Sequence, residues 1–315
     1  MKYKKGANPL KLMGYFCVLK KNINKLNIFF LTLLFIVFSN MSINNLLFAS
    51  DIYLVEGFAN AFALTAKKGS LESVIKNPAT GKASSHKQVL ININESYDLG
   101  VYHGLLGTGY ELKSDLLLVA LLPFTSIAAI DETIINNGSP QKIGQYSTWK
   151  LSPQLTLSKK VSDDMVIGGS MIGLYETIHS EYAKGLSFDT GLVFNLKKIN
   201  LGVSIQNIGF QNYWSTQKKE KKNVKVNTGI ALKPMKQLEI LSDVSIIKAT
   251  VITNSAINYL VSSYLNVQVG LRDVGKSNQL RAGASLNLDS FEVHYSYGSH
   301  VELGDSHKLG MTVGL

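Results

Sequence analysis

The sequence of 315 residues has one cysteine, Cys17, and six histidines. A single cysteine excludes an internal disulfide, and no pair of histidines has the His-x-x-x-His spacing that would indicate a metal site. Asp305, Ser306 and His307 include the residue types of a hydrolase triad, but consecutive residues in a turn cannot easily be directed at one another. The sequence therefore predicts no catalytic residues, no metal site and no cofactor, and we expect a protein that is not an enzyme.

Long apolar runs are missing as well. The run from Ile28 to Phe38 has 11 residues, whereas a membrane-spanning helix needs about 18 or more. Seven lysines and no acidic residue come before it. Such a pattern is typical of a secretion signal, so we predict a signal peptide over residues 1–50 that is removed after Ala49 or Ser50. Any membrane crossing by the remaining chain must then be made by strands.

A large positive charge on the remaining chain is also missing. The whole sequence has a formal net charge of +10, but residues 1–50 contribute +7 and the rest only +3. Nucleic-acid binding would require basic residues clustered on one surface of the mature protein. We therefore expect no nucleic-acid partner.

The sequence does contain a long period of two near its end. Alternate positions from Leu280 are uncharged and mostly apolar, and they are Leu280, Ala282, Ala284, Leu286, Leu288, Phe291, Val293, Tyr295, Tyr297, Leu309, Met311, Val313 and Leu315. The positions between them are mostly Gly, Ser, Asn and Thr with scattered charges. A period of two indicates strands. An apolar outer face with a small, polar inner face is typical of a membrane barrel and not of a soluble sandwich.

From Lys87 to Leu315 this alternation recurs in fourteen segments, most of them with about the 9–11 residues that a tilted strand needs to cross a bilayer. Short turns alternate with connections that we expect to be longer, at 133–145, 177–184, 209–222 and 251–255. One rim of short turns, facing the periplasm, is typical of outer-membrane barrels. The sequence therefore predicts an all-β fold, a transmembrane antiparallel up-and-down β-barrel of about 14 strands over residues 87–315.

Residues 51–86 differ from the rest of the chain. Small and aromatic residues fill positions 57–66, and Asn77, Pro78 and Ala79 follow. Asn77 suits the N-cap of a short helix and Pro78 its first position. We interpret residues 51–86 as a small N-terminal hatch or plug in the barrel lumen. An exposed, mobile terminus is the alternative.

A set of charged side chains faces the lumen if the alternation holds. A charge facing lipid at the midplane would cost about 2–4 kcal/mol, so an inward position is favoured. The candidate polar network of the lumen consists of Asp189, Glu239, Asp243, Arg272, Arg281, Glu292 and His294. Two interpretations remain open, namely an ion-pair network that stiffens the wall and a path for a polar ligand or ion.

The connection at 209–222 combines aromatic residues with a lysine-rich stretch. Its candidate surface residues are Phe210, Tyr213, Trp214, Lys218, Lys219, Lys221 and Lys222. An exposed surface of this kind suits a protein partner or lipopolysaccharide. The alternative is a solvated loop with interfacial aromatic anchors.

Five short segments also have a recognisable order and spacing. They are Ala61–Ala66 with Asn77-Pro78-Ala79, then Asp163–Glu176, Phe188–Gly191, Leu201–Gly209 and Leu303–His307. In this order they resemble the PorV-type outer-membrane proteins, within the wider group of FadL-like barrels that are similar to long-chain fatty-acid transporters. The resemblance implies a fourteen-stranded barrel with an N-terminal hatch. It also implies transport of hydrophobic molecules or, in the PorV branch, handling of secreted cargo at the cell surface in type IX secretion.

Three functions therefore remain as expectations: a simple pore or structural barrel with a stiffened polar lumen, a transporter, and a secretion or attachment scaffold. The expected partners are outer-membrane lipid or lipopolysaccharide, and either a hydrophobic small molecule or a secreted protein cargo. We expect a monomeric barrel in the outer membrane.

Overall fold

The structure is a computed structural model that describes residues 54–81, 86–96, 100–113, 115–136, 138–275, 279–300 and 304–315. The signal peptide predicted over residues 1–50 lies outside these residues. In the described part of the chain, no helix is both long and apolar enough to cross a membrane.

The described residues form three short helical elements followed by strands. The helical elements are α1 (Glu56–Ala59) and the 3-10 turns η1 (Glu72–Ile75) and η2 (Pro78–Thr80). The first strands are β1 (Lys87–Ser96), β2 (Val101–Lys113), β3 (Leu116–Asn136), β4 (Ser139–Leu151), β5 (Gln154–Ser162), β6 (Met165–Ile178), β7 (Glu181–Leu196) and β8 (Ile199–Trp214). The remaining strands are β9 (Lys219–Glu220), β10 (Lys225–Met235), β11 (Leu238–Ile247), β12 (Thr250–Leu260), β13 (Leu265–Arg272), β14 (Gln279–Leu288), β15 (Phe291–His300) and β16 (Gly304–Gly314).

The strands form a closed antiparallel wall. Each long strand pairs with its neighbours in sequence, and β1 pairs with β16, for example Ile91 with Met311. The strands β4 and β5 form one wall strand, because both lie between β3 and β6. The two-residue β9 pairs only with β8. The wall therefore has fourteen strands, and the predicted fold is confirmed.

Pro153 interrupts the wall strand between β4 and β5 because it has no N–H to donate. Its carbonyl nevertheless accepts a hydrogen bond from Gly173 N at 2.8 Å, and Ser152 N donates to the Pro123 carbonyl at 2.9 Å. The register is the same on both sides of the interruption. The wall is therefore continuous at Pro153.

The two faces of the wall follow the predicted alternation. In the last strands, Leu286, Tyr295 and Leu309 are exposed on the outer face, whereas their neighbours Ser285 and His294 are buried. Exposed apolar side chains continue around the other strands and form an outer band. Polar side chains fill most of the inner face, as a bilayer-spanning barrel requires. The sector formed by β1, β2 and β3 differs, because its inner face includes the buried apolar residues Leu90, Leu105, Leu117, Val119 and Leu121.

Three of the predicted longer loops are wrong. The ranges 133–145 and 177–184 belong mostly to paired strands, with a turn at Gly138 and another at 179–180. The range 251–255 lies within β12. Pairing continues where the sequence becomes polar, because strands that extend beyond the apolar band no longer need apolar outer side chains. The connection after β8 is long, but it begins only at Ser215 because β8 runs to Trp214.

Residues 54–81, here called the inserted segment, lie inside the wall. Almost all of them are buried, and they contact strands on every side, including β6, β7 and the strands from β13 to β15. Leu54, Phe58, Phe62, Leu71 and Val74 pack against the apolar sector of β1, β2 and β3. We call the rim where β1 begins and β16 ends the near rim, and the opposite one the far rim.

Candidate functional site

The predicted hatch motif, Asn77, Pro78 and Ala79, lies inside the lumen and contacts β5 and β7. Asn77 has an extended backbone, and its side-chain oxygen accepts from Ala79 N at 3.0 Å at the start of η2, where Pro78 is the first residue. The Asn77 amide donates to the Thr65 carbonyl at 2.7 Å and to the Leu192 carbonyl of β7 at 3.3 Å. The hydroxyl of Ser158 donates to the Pro78 carbonyl. The motif therefore links two parts of the inserted segment to the wall.

Wall glycines allow this close approach. A Cβ atom at Gly191 would overlap the Asn77 side chain, and one at Gly202 would overlap the Thr65 carbonyl. Both glycines lie within strands, where glycine has an entropic cost and often marks the close approach of another backbone. Glycines at inward positions of the strands are therefore the signal in the sequence from which the path of the inserted segment could have been predicted.

Two charges of the inserted segment form a buried ion pair. Lys67 Nζ lies 2.5 Å from Glu56 Oε1, and both side chains are nearly inaccessible to water. Burial opposes the ionisation of both groups and is the largest single effect on Glu56, but the charges of Lys67 and His294 and hydrogen bonds from Lys67 and Ser70 together lower the pKa of Glu56 to about 2. Burial is also the largest single effect on Lys67 and disfavours its charged form, but the charges of Glu56, Glu239 and Glu292 and the hydrogen bond to Glu56 together raise the pKa of Lys67. The pair is therefore ionised inside the barrel.

Glu72 joins the start of the inserted segment to its second half and to β1. Its carboxylate accepts from Val55 N at 3.1 Å, from Gly57 N at 3.0 Å and from the Asn92 amide of β1 at 2.6 Å. Burial and the negative charge of Glu56 raise the pKa of Glu72. Glu56, Lys67 and Glu72 were not among the predicted site residues. Charged residues within a stretch of mostly small and apolar residues could have indicated a buried polar cluster.

Asp243 is the predicted lumen residue that holds the inserted segment most directly. Its carboxylate accepts from Thr65 N at 2.9 Å and from the Thr65 hydroxyl at 2.6 Å. Beside it, Lys76 Nζ donates to the Ser245 hydroxyl at 3.0 Å. These contacts fix the inserted segment to β11.

The two arginines of the lumen contact aromatic rings of the inserted segment. The Arg281 guanidinium lies 4.3 Å from the centre of the Phe58 ring, and that of Arg272 lies 4.8 Å from the centre of the Phe62 ring. Lys308 Nζ lies 4.5 Å from the Phe58 ring. Cation–π contacts of this kind stabilise a desolvated cation.

Glu239, Glu292 and His294 lie in a separate group toward the near rim. Glu239 Oε1 lies 3.0 Å from Lys233 Nζ in an ion pair, and Glu239 Oε2 accepts a hydrogen bond from the Asn258 amide at 3.0 Å. His294 Nδ1 lies 2.9 Å from the Ser285 hydroxyl, and its Nε2 lies 3.7 Å from Glu292 Oε2. Glu239 and Glu292 line a cavity of about 220 Å³. The structure thus divides the predicted lumen network into groups that lie at different levels of the barrel.

Asp189 lies on the far side of the inserted segment. It accepts from Asn207 N at 2.9 Å and from the Gln206 amide at 3.3 Å. Gln206 in turn donates to the Ile75 carbonyl of the inserted segment at 2.6 Å. Asp189 therefore belongs to the lining of the far half of the lumen.

That far half contains a cavity of about 560 Å³, which we call the far cavity. Ile75 of the inserted segment lines it. Its other apolar lining residues are Pro123, Ile172, Leu174, Phe210 and Ile247, and its charged lining residues are Lys150, Asp189, Lys221, Lys222 and Lys225. Its remaining lining residues are polar, and they are Ser152, Gln154, Ser187, Gln206, Asn207 and Asn223. A cavity that combines apolar side chains with converging polar and charged groups can bind a small molecule.

The predicted surface at 209–222 is divided between two faces. Phe210 is buried, because it points into the barrel, and Lys222 Nζ lies 4.6 Å above its ring. The prediction that Phe210 is on the surface is therefore wrong, and Lys221 and Lys222 line the far cavity with it. Trp214 is half-buried, whereas Tyr213, Lys218 and Lys219 are exposed. Among the described residues there is no cluster of His, Cys, Asp and Glu that could hold a metal ion.

No family model matches the sequence, and no curated protein matches it. Solved structures match the fold. The toluene transporter TbuX of Ralstonia pickettii is 10% identical with a TM-score of 0.59 and covers 82% of this chain and 97% of its own. The TodX monoaromatic hydrocarbon channel, as a deltaS2S3 mutant, is 12% identical with a TM-score of 0.56, over 83% and 97%. A FadL homologue of Pseudomonas aeruginosa is 9% identical with a TM-score of 0.53, over 83% and 98%. At these identities the likeness establishes the fold, that of the FadL-like barrels, and membership of the PorV type stays a prediction.

Proposed function

We propose that this protein is an outer-membrane barrel that transports small molecules with an apolar body, and that the inserted segment is its hatch. The far cavity is the observation that carries this proposal, because it presents both apolar side chains and lysines to a ligand and is lined by Ile75 of the inserted segment. Two structural neighbours are described as a toluene transporter and a monoaromatic hydrocarbon channel. We propose a related ligand class here, with a negative group that the cavity lysines would bind.

The proposed route runs through the lumen. The inserted segment fills the lumen and contacts strands around it, so we propose that a ligand in the far cavity reaches the near rim when this segment moves. Hydrogen bonds and apolar packing hold the segment against the wall, and the Glu56–Lys67 ion pair lies within the segment. None of these contacts is part of the strand pairing, so they can break and re-form without unfolding the wall. The outer apolar band supports the proposed location in the outer membrane.

A cavity-filling substitution tests the proposal. Ser187 is buried on β7 and lines the far cavity, whereas Thr190 is exposed on the same strand. In vesicles containing the protein, we expect benzenesulfonate, an anionic monoaromatic that crosses bilayers poorly, to enter faster than glucose. Ser187→Trp should reduce this entry to the level of protein-free vesicles, and Thr190→Trp should leave it unchanged.

Equal entry of glucose and benzenesulfonate would instead support the simple pore. If neither solute enters faster than into protein-free vesicles, the result would favour the cargo-handling role.

One observation favours that second candidate, namely the hairpin at 130–146, which extends beyond its neighbouring strands in the described part of the barrel. Ile135 in this hairpin is 82% exposed, and such a side chain suits contact with another protein.

A further inference from the structure

The outer face of the wall has a row of alternating tyrosines and lysines near the far rim. Tyr175 on β6 lies opposite Lys184 on β7, Lys184 lies opposite Tyr213 on β8, and Tyr213 lies opposite Lys219 on β9. Directly opposite residues share a face of the sheet. All four are exposed, so we call them the lysine–tyrosine row.

The carboxylates of the strands that form the row face the lumen at this level. Glu176 and Glu220 belong to the same strands but face inward, where Glu176 lies 3.6 Å from Lys150 and Glu220 accepts from the Asn212 amide at 3.5 Å. Neither Lys184 nor Lys219 forms an ion pair with any carboxylate of the described residues. The outer face of the row is therefore positive.

The lysines are oriented by neighbouring rings. Lys184 Nζ lies 5.3 Å from the centre of the Tyr182 ring, and Lys219 Nζ lies 5.3 Å from the centre of the Tyr213 ring. Cation–π contacts at exposed sites are weak, about 0.5–1 kcal/mol, but they limit the positions that a long side chain adopts. The two ammonium groups are therefore held near the wall.

The row lies at the upper edge of the outer apolar band. Leu186 and Phe188 follow Lys184 on the same face of β7, and both are exposed. On the rim side, Trp149 and Tyr182 lie opposite Thr177 in the next row. Aromatic residues at such a level mark the boundary between acyl chains and headgroups. The lysines are thus at the depth of lipid phosphates.

We propose that the lysine–tyrosine row is a binding site for an anionic, phosphate-bearing lipid of the outer leaflet. The phosphate is bound by the ammonium groups of Lys184 and Lys219, through charge-assisted hydrogen bonds. The acyl chains lie on Leu186 and Phe188. The site is on the lipid side of the wall and is separate from the far cavity.

The tryptophans of the chain make this site measurable. The sequence has two, and Trp149 is 48% exposed on the outer face near the row, whereas Trp214 is half-buried. In a Trp214→Phe background, Trp149 fluorescence in phosphatidylcholine vesicles reports which lipid occupies this place. Phosphatidylglycerol brominated near its headgroup should quench it with a higher relative affinity than equally brominated phosphatidylcholine. At low salt we expect about a fivefold preference for each lysine.

Three variants and one competitor decide the outcome. Lys184→Gln with Lys219→Gln should reduce the preference to near one, and Lys184→Arg with Lys219→Arg should keep it. Lys159→Gln removes an exposed lysine from β5 near the near rim and should leave the preference unchanged. Inorganic phosphate at millimolar concentration should not displace the lipid. Equal quenching by the two lipids, or an undiminished preference in the glutamine variant, would overturn the proposal.

Discussion

Glu56 and Lys67 are buried together inside the barrel, 2.5 Å apart. Water solvates neither charge well, so each depends on the other for its stability. Residues 54–67 surround this pair and include most of the close contacts with the strands from β13 to β16. The ion pair therefore influences how firmly the first half of the inserted segment is held.

Removing one partner should loosen that half. In Glu56→Gln the charge of Lys67 stays buried without its counterion, and the breaking of such a pair costs about 3–5 kcal/mol. We expect the backbone amides of residues 55–67 to exchange hydrogen about a hundredfold faster or more, as measured by mass spectrometry on the folded barrel.

The matched control removes both charges. Glu56→Gln with Lys67→Met leaves no unpaired charge, so exchange should return most of the way to the wild-type rate. Equally fast exchange in the single and double variants would show that the loss of packing, and not the unpaired charge, loosens the segment.

The residues that hold the inserted segment could be predicted only in part. Alternation along β11 predicted that Asp243 faces the lumen, because a charged side chain facing lipid has a high free-energy cost. Its partner Thr65 is 178 residues away in sequence, and no local pattern relates the two. The same holds for Asn77 and Leu192. Which inward side chains meet the inserted segment depends on its path through the lumen, and that path is set by packing between distant segments.

At the scale of the strand, the lipid side of the wall imposes the strongest constraint. Val203 lies in the middle of the apolar outer face of β8, between Leu201 and Ile205, whereas Gln211 is on the same strand near the far rim. The cost of an arginine facing lipid falls from about 2–4 kcal/mol at the midplane to about 0–1 kcal/mol near the interface.

Val203→Arg should therefore impair folding far more than Gln211→Arg. The measurement is the fraction that migrates as a folded barrel in an unheated gel after refolding into vesicles. Similar folded fractions for the two variants would mean that the outer face of β8 does not contact acyl chains at Val203.

This dependence on depth also explains why the sequence predicted the orientation of side chains within the apolar band but not the ends of the strands beyond it. Within the apolar band, alternation is enforced on every strand, and the faces of Leu286 and Ser285 followed directly from it. Beyond the band, β3 and β4 continue as a polar hairpin to Asn136 and Ser139. Both faces of the hairpin are in contact with water there, so polar side chains can occupy either face. The amino-acid composition of this hairpin therefore resembles that of a loop, and it does not indicate where the strands end.

At the scale of the whole molecule, the wall closes without help from the inserted segment. The strand β1 begins at Lys87 and pairs along its length with both β2 and β16. The inserted segment contributes no strand to this ring. Its contribution is to fill the lumen, where Leu71 and Val74 cover the apolar inner face of β1, β2 and β3.

Deletion of residues 54–81 should therefore leave a folded barrel with an open lumen. We expect the deletion protein to retain its heat-modifiable migration, because every backbone pair of the wall is kept. Its melting temperature should fall, since Leu90, Leu105 and Leu121 become exposed to water at a cost of about 25 cal/mol per Å² of apolar surface. In planar bilayers its single-channel conductance should exceed that of the wild-type protein.

Thr65→Val is the control with a smaller change, because it removes only one hydrogen bond to Asp243. It should show brief openings toward the conductance of the deletion protein. A conductance that is the same in the wild-type and deletion proteins would show that the inserted segment does not limit passage through the lumen, and the hatch would have to be sought elsewhere in the chain.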